Sequence, residues 1–529
     1  MTDNNNFNHD FENKGLTRRQ FISGAAAMGL YAAASPIILP RGAQAAAPRQ
    51  GGLLKMGIGG CSTTDSLDVG KLSQTMPQNV NVALRNALVE MSPDNEPVPE
   101  LAESWEASPD AKQWVVKLRK GVEFHNGKTM TSEDVIYSFQ YHMGEDSKSA
   151  AKAVAKPIKN IRADGKYTVI FELNEGNADF PYILSDYHFS IVPAGTTGDE
   201  FEKGIGTGPF IFESYEPGVR FYAKRNPNYF KEGLPYFDEV EMLGISDVSS
   251  RTNALKTGRI HVMNRCDVKT FHLFERMPGI QTLSLGGPMH YTIPMRTDMA
   301  PFNDNNVRLG LKHAIDREKM LKLVLKGYGY VGNDHPISKI TSFYADLPQR
   351  QYDPDKAKFY LKKAGMENET FKLHTSDAAF SGAVDAAVLY KETAAEAGIN
   401  IEVVKEPSDG YWSNVWTKKG WCFSYWGGRP TADSMFSVGY AEGAAWNATH
   451  FSHKRFNELL TKARAELDTD RRQAMYTEMQ EILKDEGGVV VPVFADYLTA
   501  ASDKLGHNKV AANWEFDGMK LTERWWMKK

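Results

Sequence analysis

The sequence predicts an α/β protein that is divided into more than one domain. Strand-like and helix-like patterns alternate along the chain, and near its end a helix and a glycine precede the apolar run 489–494. A continuous apolar run is typical of a strand buried on both faces, and its position after a helix favours mixed α/β layers. The length of 529 residues also exceeds what one ordinary hydrophobic core accommodates.

Alternation of apolar and polar residues predicts strands in the first half of the chain. The first predicted strand is Leu53–Ile58, and the same period of two recurs over residues 114–118 and 167–173. This period is typical of a strand with one buried face.

Capping residues predict where two helices begin. Thr131 and Asp134 have the spacing of a capping box, so a helix is expected to follow them. Asp353 and Pro354 supply a cap and a first-turn proline, and Gly365 is expected to close that helix.

Three more helices are predicted from apolar residues at helical spacing. One follows a cap at Asn305 or Asn306, and the others cover residues 456–467 and 470–487. The predicted buried face of the first of these helices consists of Val307, Leu311 and Ile315.

The first 45 residues have the pattern of an export signal. Arg18 and Arg19 precede a short alanine-rich apolar stretch, and the small residues Ala43 and Ala45 then offer a cleavage site. The paired arginines indicate the twin-arginine route, and the apolar stretch is shorter than the roughly 20 residues of a membrane span. We therefore expect a protein dissolved in the periplasm, cleaved near Ala45.

Composition argues against several function classes. A formal net charge of −4 gives no concentrated basic face for nucleic acid. Cys61, Cys266 and Cys422 lack metal-site spacing, so neither a metal nor another cofactor is expected. They are interpreted as buried free thiols, the alternative being one disulfide and one free thiol. The hydrolase patterns GxSxG and HExxH are absent from the sequence.

Several short segments, spread over most of the chain, together resemble bacterial extracellular solute-binding protein family 5. This is the peptide, opine and nickel class of receptors for ABC importers. The segments that carry the resemblance are residues 101–106, 118–135, 206–210, 225–229, 307–317 and 352–357.

The resemblance implies a type II periplasmic-binding fold, with two α/β lobes and an extra subdomain inserted in the first lobe. The predicted inserted subdomain covers residues 81–205, and the predicted second lobe covers 294–491. The first lobe is expected to combine residues 46–80, 206–293 and 492–529, with crossings near 291–296 and 491–494.

The resemblance also implies a function without catalysis. A monomeric periplasmic receptor is expected to capture a small organic solute or a short peptide, close about a hinge, and deliver the solute to an ABC permease. The alternative within the family is a receptor for a metal chelate of nickel or haem. A secreted hydrolase and a secreted chaperone or adhesin are the alternatives outside it.

Tryptophan is concentrated in one stretch that ends at a glycine-rich turn. Residues 412–426 hold four of the ten tryptophans, and Gly427 follows directly. Binding clefts favour tryptophan because it offers a large contact area at small entropic cost. The residues of this stretch predicted to contact the ligand are Trp416, Trp421, Trp426 and Gly427.

Arg429 stands where peptide-binding members of the family have an aspartate that neutralises the amino end of the peptide. A guanidinium cannot pair with an ammonium group, but it binds a carboxylate through two parallel hydrogen bonds. The resemblance and this departure together predict a ligand with a carboxylate, such as an opine-like conjugate or an acidic peptide. Alternatively, Arg429 pairs with a nearby acid such as Asp433, which is itself a candidate ligand contact.

Further ligand contacts are predicted where the family lines its cleft. Tyr291 and Arg296 lie at the first predicted crossing, and Thr64 and Asp68 follow the first predicted strand. Other polar candidates are Thr63, Asn333, Asp334, His335, Asn447 and His450.

Overall fold

The computed structural model describes residues 48–528, apart from Ser381, Asp409, Ala445 and the side chain of Ala153. The predicted export signal and its cleavage site therefore lie outside the described residues. Among the helices of the described part, none is both long enough and apolar enough to cross a bilayer.

Strands occur along the whole described part of the chain. In chain order they are β1 (Leu53–Ile58), β2 (Val89–Met91), β3 (Pro97–Pro99), β4 (Ala102–Ala107), β5 (Gln113–Leu118), β6 (Ile158–Ala163), β7 (Thr168–Leu173), β8 (Phe210–Glu216), β9 (Arg220–Arg225), β10 (Glu239–Gly244), β11 (Val262–Met263), β12 (Ile280–Pro294), β13 (Gly329–Val331), β14 (Thr370–Thr375), β15 (Asn400–Lys405), β16 (Ser424–Trp426), β17 (Val489–Val490), β18 (Val493–Ser502), β19 (Leu505–Gly506) and β20 (Trp526–Met527).

Helices are longest in the second half of the chain. In chain order they are α1 (Thr75–Leu84), α2 (Ser132–His142), α3 (Lys152–Ala155), α4 (Phe180–Ile183), α5 (Val248–Lys256), α6 (Phe271–Phe274), α7 (Asn305–His313), α8 (Arg317–Leu323), α9 (Pro354–Ala364), α10 (Ala383–Ala395), α11 (Tyr411–Asn414), α12 (Ala432–Gly439), α13 (Lys454–Ala465), α14 (Thr469–Asp485), α15 (Glu515–Gly518) and α16 (Leu521–Arg524). Two 3-10 helices cover Tyr187–Phe189 and Gly198–Lys203.

The largest sheet is mixed, and two long strands extend through it. Its order is β16-β12-β18-β11-β1-β10-β9-β8, with β13 also on β18 and β17 also on β12. The strands β12 and β18 pair antiparallel over most of their length. The beginning of β18 pairs with β13, whereas its end pairs with β11. The two predicted crossings fall at the end of β12 and the start of β18, and the lobe boundaries stay a prediction.

A second, four-stranded sheet lies within residues 81–205. Its order is β4-β5-β7-β6, and all neighbouring strands are antiparallel. Phe139 of α2 packs edge-on against Phe171 of β7, which in turn contacts Phe180. This segment therefore has its own hydrophobic core.

Residues in the second half build two further cores. One surrounds β14, β15 and α10 and contains the fully buried Trp421 and Tyr390. The other joins α12, α13 and α14 around Phe436, Phe456 and Tyr476. Together with the sheets, these helical layers confirm the predicted α/β class.

Local hydrogen bonds confirm several predicted helix starts. The Thr131 N–H donates to the Asp134 carboxylate at 2.9 Å, as the capping box requires. The Asp353 carboxylate accepts from the Lys356 N–H at 2.9 Å, and Gly365 ends α9 with a left-handed φ of 70°. The first predicted strand matches β1 in both bounds.

Two predictions about α7 are wrong. The cap of α7 is Asp304 rather than Asn305 or Asn306, because its carboxylate accepts from the Asn306 N–H at 2.8 Å. That helix ends at His313, so Ile315 is buried but lies beyond it.

The apolar run 489–494 is buried, as predicted, but it forms two strands instead of one. β17 pairs with the end of β12, whereas β18 begins at Val493. Pro492 lies between the two strands, and proline has no N–H to donate to a strand ladder.

The prediction of buried free thiols is confirmed for Cys266 and Cys422, whereas Cys61 is free but not fully buried.

Candidate functional site

A cleft with a volume of about 100 Å³, open in part to solvent, is lined by several separate parts of the chain, including Pro288 of β12. One wall comes from residues 82–190, in the segment predicted as the inserted subdomain. A second wall comes from 340–341 and 427–430, in the predicted second lobe, and a third from 513–520. The walls therefore combine residues from both predicted lobes.

Arg429 lies in the wall that follows β16. Its guanidinium lies over the indole rings of Trp426 and Trp446, with its central carbon 5.2 and 5.7 Å from their centres. Its Nη1 donates to the Gly428 carbonyl at 2.7 Å. Gly428 has a φ of +89°, and a Cβ there would lie 2.3 Å from Pro288 Cβ. The turn that places Arg429 therefore depends on glycine.

The charge of Arg429 has no ion-pair partner among the described residues, since no carboxylate there lies within 4.0 Å of it. Burial lowers the pKa of Arg429, and the negative charge of Asp186 on another wall opposes this shift. The arrangement leaves a desolvated cation facing the cleft, which is suited to an anionic group of a ligand.

The alternative in which Arg429 pairs with Asp433 is wrong. Asp433 is buried and accepts from the Nε of Arg464 at 3.0 Å. Burial raises the pKa of Asp433 to about 6. Asp433 is absent from the walls of the cleft, where Gly427 and Arg429 lie.

The predicted tryptophans occupy different environments. Trp426 ends β16 and contacts Arg429, whereas Trp421 is fully buried between Phe302 and Tyr390. Trp416 is half-buried and packs against Trp446. None of the three indoles belongs to the walls of the cleft.

Tyr291 and Arg296 have partners outside this cleft. The Tyr291 ring stacks on Phe380 at a centroid distance of 3.6 Å, and burial raises the pKa of Tyr291 to about 12. Arg296 forms an ion pair with Asp298, with 2.6 Å between Nη2 and Oδ2.

Thr64 and Asp68 also lie away from these walls. Thr64 is exposed, and its hydroxyl is 2.9 Å from that of Ser62. Asp68 is buried, accepts from the Tyr141 hydroxyl at 2.7 Å and pairs with Lys71 at 3.1 Å.

The other polar candidates make contacts within the protein. Asp334 is fully buried and accepts from Arg317 at 2.6 Å and from Arg350 at 2.8 Å. The amide nitrogen of Asn447 donates to the Phe451 carbonyl at 2.9 Å. The remaining candidates, with partners or environment, are Thr63 (exposed), Asn333 (carbonyls of Leu347 and Pro348), His335 (buried) and His450 (carbonyl of Thr417).

Two polar residues of the cleft, on a different segment from Arg429, were not predicted from the sequence. Asp186 and Tyr187 line the cleft from a 3-10 helix, and Trp514 packs edge-on against the Tyr187 ring. No spacing or motif marks these residues in the sequence, because their neighbours in space are distant along the chain.

A buried charge cluster, part of which lines the cleft, also has no signal in the sequence. It contains three acids and three bases, and two of its contacts are Lys231–Glu523 at 2.7 Å and Arg524–Glu90 at 2.6 Å. The remaining members are Glu100 and Lys520, which pair with each other. The acidic oxygens of Glu90, Glu100 and Glu523 lie within 4.8 Å of one another, but the three cations already balance them.

Comparison with known proteins gives a match over most of the chain. Residues 96–448 match the model of the middle region of bacterial extracellular solute-binding proteins, family 5. The oligopeptide-binding protein AppA of Bacillus subtilis is 32% identical over 282 residues, which is 51% of this chain and 51% of AppA. The chain thus spans about half the length of that relative.

Two other curated relatives are aligned over different extents. The dipeptide-binding protein of Escherichia coli is 26% identical over 462 residues, which is 78% of this chain and 83% of the relative. The heme-binding protein A of Haemophilus influenzae is 29% identical over 310 residues, or 54% of this chain and 56% of the relative.

Solved structures confirm the predicted type II periplasmic-binding fold. AgaA of A. tumefaciens in complex with agropinic acid has a TM-score of 0.74 and 25% identity, covering 90% of this chain and 99% of AgaA. DppA of Helicobacter pylori in complex with the peptide STSA has a TM-score of 0.73 and 24% identity, covering 91% of this chain and 99% of DppA. CtaP of Listeria monocytogenes has a TM-score of 0.81 and 19% identity, covering 91% and 100%.

Proposed function

Because the chain belongs to family 5 of the bacterial extracellular solute-binding proteins, we propose that it captures an organic solute in the periplasm and delivers it to the permease of an ABC importer. Binding involves no turnover in this proposal. The solute is a short peptide or an opine-like conjugate, and the protein works as a monomer.

The observation that carries the proposed solute class is the position of Arg429. Its guanidinium is partly desolvated, lies over two indole rings and lacks a carboxylate partner among the described residues. An uncompensated charge of this kind is unfavourable, and a ligand carboxylate would compensate it through two parallel hydrogen bonds. We therefore propose that the solute carries at least one carboxylate, which Arg429 binds.

The proposed mechanism is hinge closure. The cleft walls come from segments assigned to both predicted lobes, so a ligand that contacts all walls stabilises the closed form over the open one. The closed form is then the one that docks on the permease. The strands β12 and β18 run between the two sides and are the natural position for the hinge.

A metal chelate is the second candidate solute. One curated relative is named a heme-binding protein, and haem also carries carboxylates that Arg429 can bind. Peptide and chelate binding are separated by the same titration.

The test is calorimetric titration of the purified protein with tri-L-alanine, glutathione, agropinic acid and haem. We expect one of these compounds to bind in the micromolar range, corresponding to about −8 kcal/mol. Replacing Arg429 with Ala removes charge-assisted hydrogen bonds worth about 1.5–3 kcal/mol, so affinity should fall about 10- to 100-fold. Arg429→Lys should retain part of the affinity, because lysine has the positive charge but lacks the planar guanidinium that makes two parallel hydrogen bonds.

Arg296→Ala is the matched control, since Arg296 is an arginine whose partner is Asp298 and which lies outside the cleft walls. Its affinity should equal that of the unchanged protein. If Arg429→Ala binds as tightly as the unchanged protein, Arg429 is not part of the binding site. If the unchanged protein binds none of the compounds, the proposed solute class is contradicted.

A further inference from the structure

Six charged side chains line the cleft, three of each sign. They are Arg85, Glu90, Glu100, Asp186, Arg429 and Lys520. A wall whose charges cancel favours a ligand without net charge over a simple anion or cation, since a net charge would be left uncompensated on closure.

Four of these six side chains have their partners within the protein. Arg85 donates to the carbonyls of Leu67 and Phe201, at 2.7 and 2.8 Å. Glu90, Glu100 and Lys520 belong to the buried cluster of three acids and three bases. These groups shape the wall. The charges of Glu90, Glu100 and Lys520 are matched within the cluster, and the Arg85 guanidinium is held by backbone carbonyls.

Asp186 has one carboxylate oxygen without a hydrogen bond to the described residues. Its Oδ1 accepts from both the N–H and the Nδ1 of His188, at 2.9 and 2.7 Å. Its Oδ2 makes no hydrogen bond with the described residues, and no lysine or arginine among them lies within 4.0 Å of it. The side chain is 26% exposed, at the wall of the cleft.

Asp186 and Arg429 lie on different walls of the same cleft. They do not contact each other, since no ion pair within 4.0 Å joins them. The negative charge of Asp186 nevertheless opposes the lowering of the pKa of Arg429 by burial. Beside Asp186, the Tyr187 hydroxyl accepts from Gln78 at 3.1 Å, so its own proton is available to a ligand. An anionic and a cationic group thus line the same cleft from different segments of the chain.

We infer that Asp186 is a second specificity-determining residue, which binds a cationic group of a ligand whose carboxylate is bound by Arg429. This inference rests on the proposed function and makes the solute a zwitterion, such as an unblocked short peptide or an amino-acid conjugate with a free amine. Arg429 holds one end from the predicted second lobe, and Asp186 holds the other end from the predicted inserted subdomain. The zwitterion bridges the two walls and so favours closure.

The test uses tri-L-alanine, its N-acetyl derivative and its C-terminal amide as calorimetric probes, with haem as a carboxylate that carries no amine. The unchanged protein should bind tri-L-alanine at least about 10-fold more tightly than either derivative, since each derivative leaves one charge unpaired. Asp186→Asn should abolish the preference over the N-acetyl form and leave the preference over the amide intact. Arg429→Gln should abolish the preference over the amide and leave the preference over the N-acetyl form intact.

Asp199→Asn, at an exposed acid of the same segment, is the matched control and should change neither preference. Circular dichroism and thermal unfolding show whether Asp186→Asn is folded; Asn retains an acceptor for the His188 N–H. If that variant unfolds, Asp186→Glu is the second variant: it keeps the charge and displaces the carboxylate, so it should reduce the preference over the N-acetyl form, and an unchanged preference would overturn the inference.

The outcomes separate the inference from the proposed function. Equal affinity of the unchanged protein for tri-L-alanine and its N-acetyl derivative overturns the role of Asp186 and leaves the binding of a carboxylate intact. Tighter binding of haem than of the zwitterion also overturns it. Absence of binding to every probe overturns the inference and the proposed function together.

Discussion

Asp179 and Arg472 form a buried ion pair between segments that the domain prediction assigns to opposite sides of the cleft. Asp179 precedes α4, Arg472 lies on α14, and the Nη2–Oδ1 distance is 2.7 Å. Their side chains are 6% and 7% exposed. Close by, the Ala178 N–H donates to the Arg464 carbonyl at 2.8 Å. If the two sides separate during opening, these contacts exist only in the closed form.

We predict that Asp179→Asn weakens solute binding by disfavouring closure. Loss of one partner from a buried ion pair costs about 3–5 kcal/mol. When that cost falls on the closing step, it lowers the affinity by about two to three and a half orders of magnitude, since every 1.4 kcal/mol is about tenfold. Calorimetry of the variant with whichever compound binds the unchanged protein measures this loss directly.

Asp94→Asn is the control, because Asp94 and Lys509 form an ion pair whose side chains are 67% and 63% exposed. An exposed pair is worth about 0–1 kcal/mol, so affinity should change less than about fivefold. The reasoning is refuted if Asp179→Asn binds normally while the free energy of unfolding of the ligand-free protein falls by the full amount. The pair would then join two parts that never separate.

Two further predictions concern stability. Burial lowers the pKa of His142, His290 and His335 to about 4, below the ordinary value of 6.5, so the folded state binds fewer protons than the unfolded chain. The contribution of these neutral histidines to the free energy of unfolding is complete above pH 6.5 and is lost toward pH 4. Urea unfolding should therefore show a loss of about 2 kcal/mol per histidine between pH 7 and 5. A free energy of unfolding that does not change with pH would contradict the burial of neutral imidazoles. Asp334→Ala leaves two buried arginines without their carboxylate. The free energy of unfolding should therefore fall by about 3–5 kcal/mol, and the solute affinity should not change. Weakened binding without loss of stability would instead place Asp334 in the site.

Predictions from the sequence succeeded where the signal is a local hydrogen bond or a regular period. The cap at Asp353 and the box at Thr131 involve partners three residues apart, so the sequence contains the whole interaction. The cap at Asp304 was missed because three consecutive residues are all acceptable caps, and only the backbone path selects one of them.

The site was predicted only in part, since its geometry depends on contacts between distant segments. Arg429 and Gly427 line the cleft as predicted, and their roles toward a ligand stay predictions. Tryptophan-rich composition could not tell Trp421, which fills a core, from a residue in a cleft. Asp433 lies four residues from Arg429, but its carboxylate contacts Arg464 on α13 instead. Asp186 has no local signal, because Arg429 lies far from it in sequence.

Closure about the cleft is the central claim, and small-angle X-ray scattering of the purified protein with and without its bound solute tests it most directly. A compact chain of about 480 residues, the length of the described part, has a radius of gyration of about 23 Å. The account predicts that the ligand-free protein exceeds this value and that saturation with solute brings the radius down toward it. An unchanged radius at saturation, with binding verified by calorimetry in the same sample, would contradict the account.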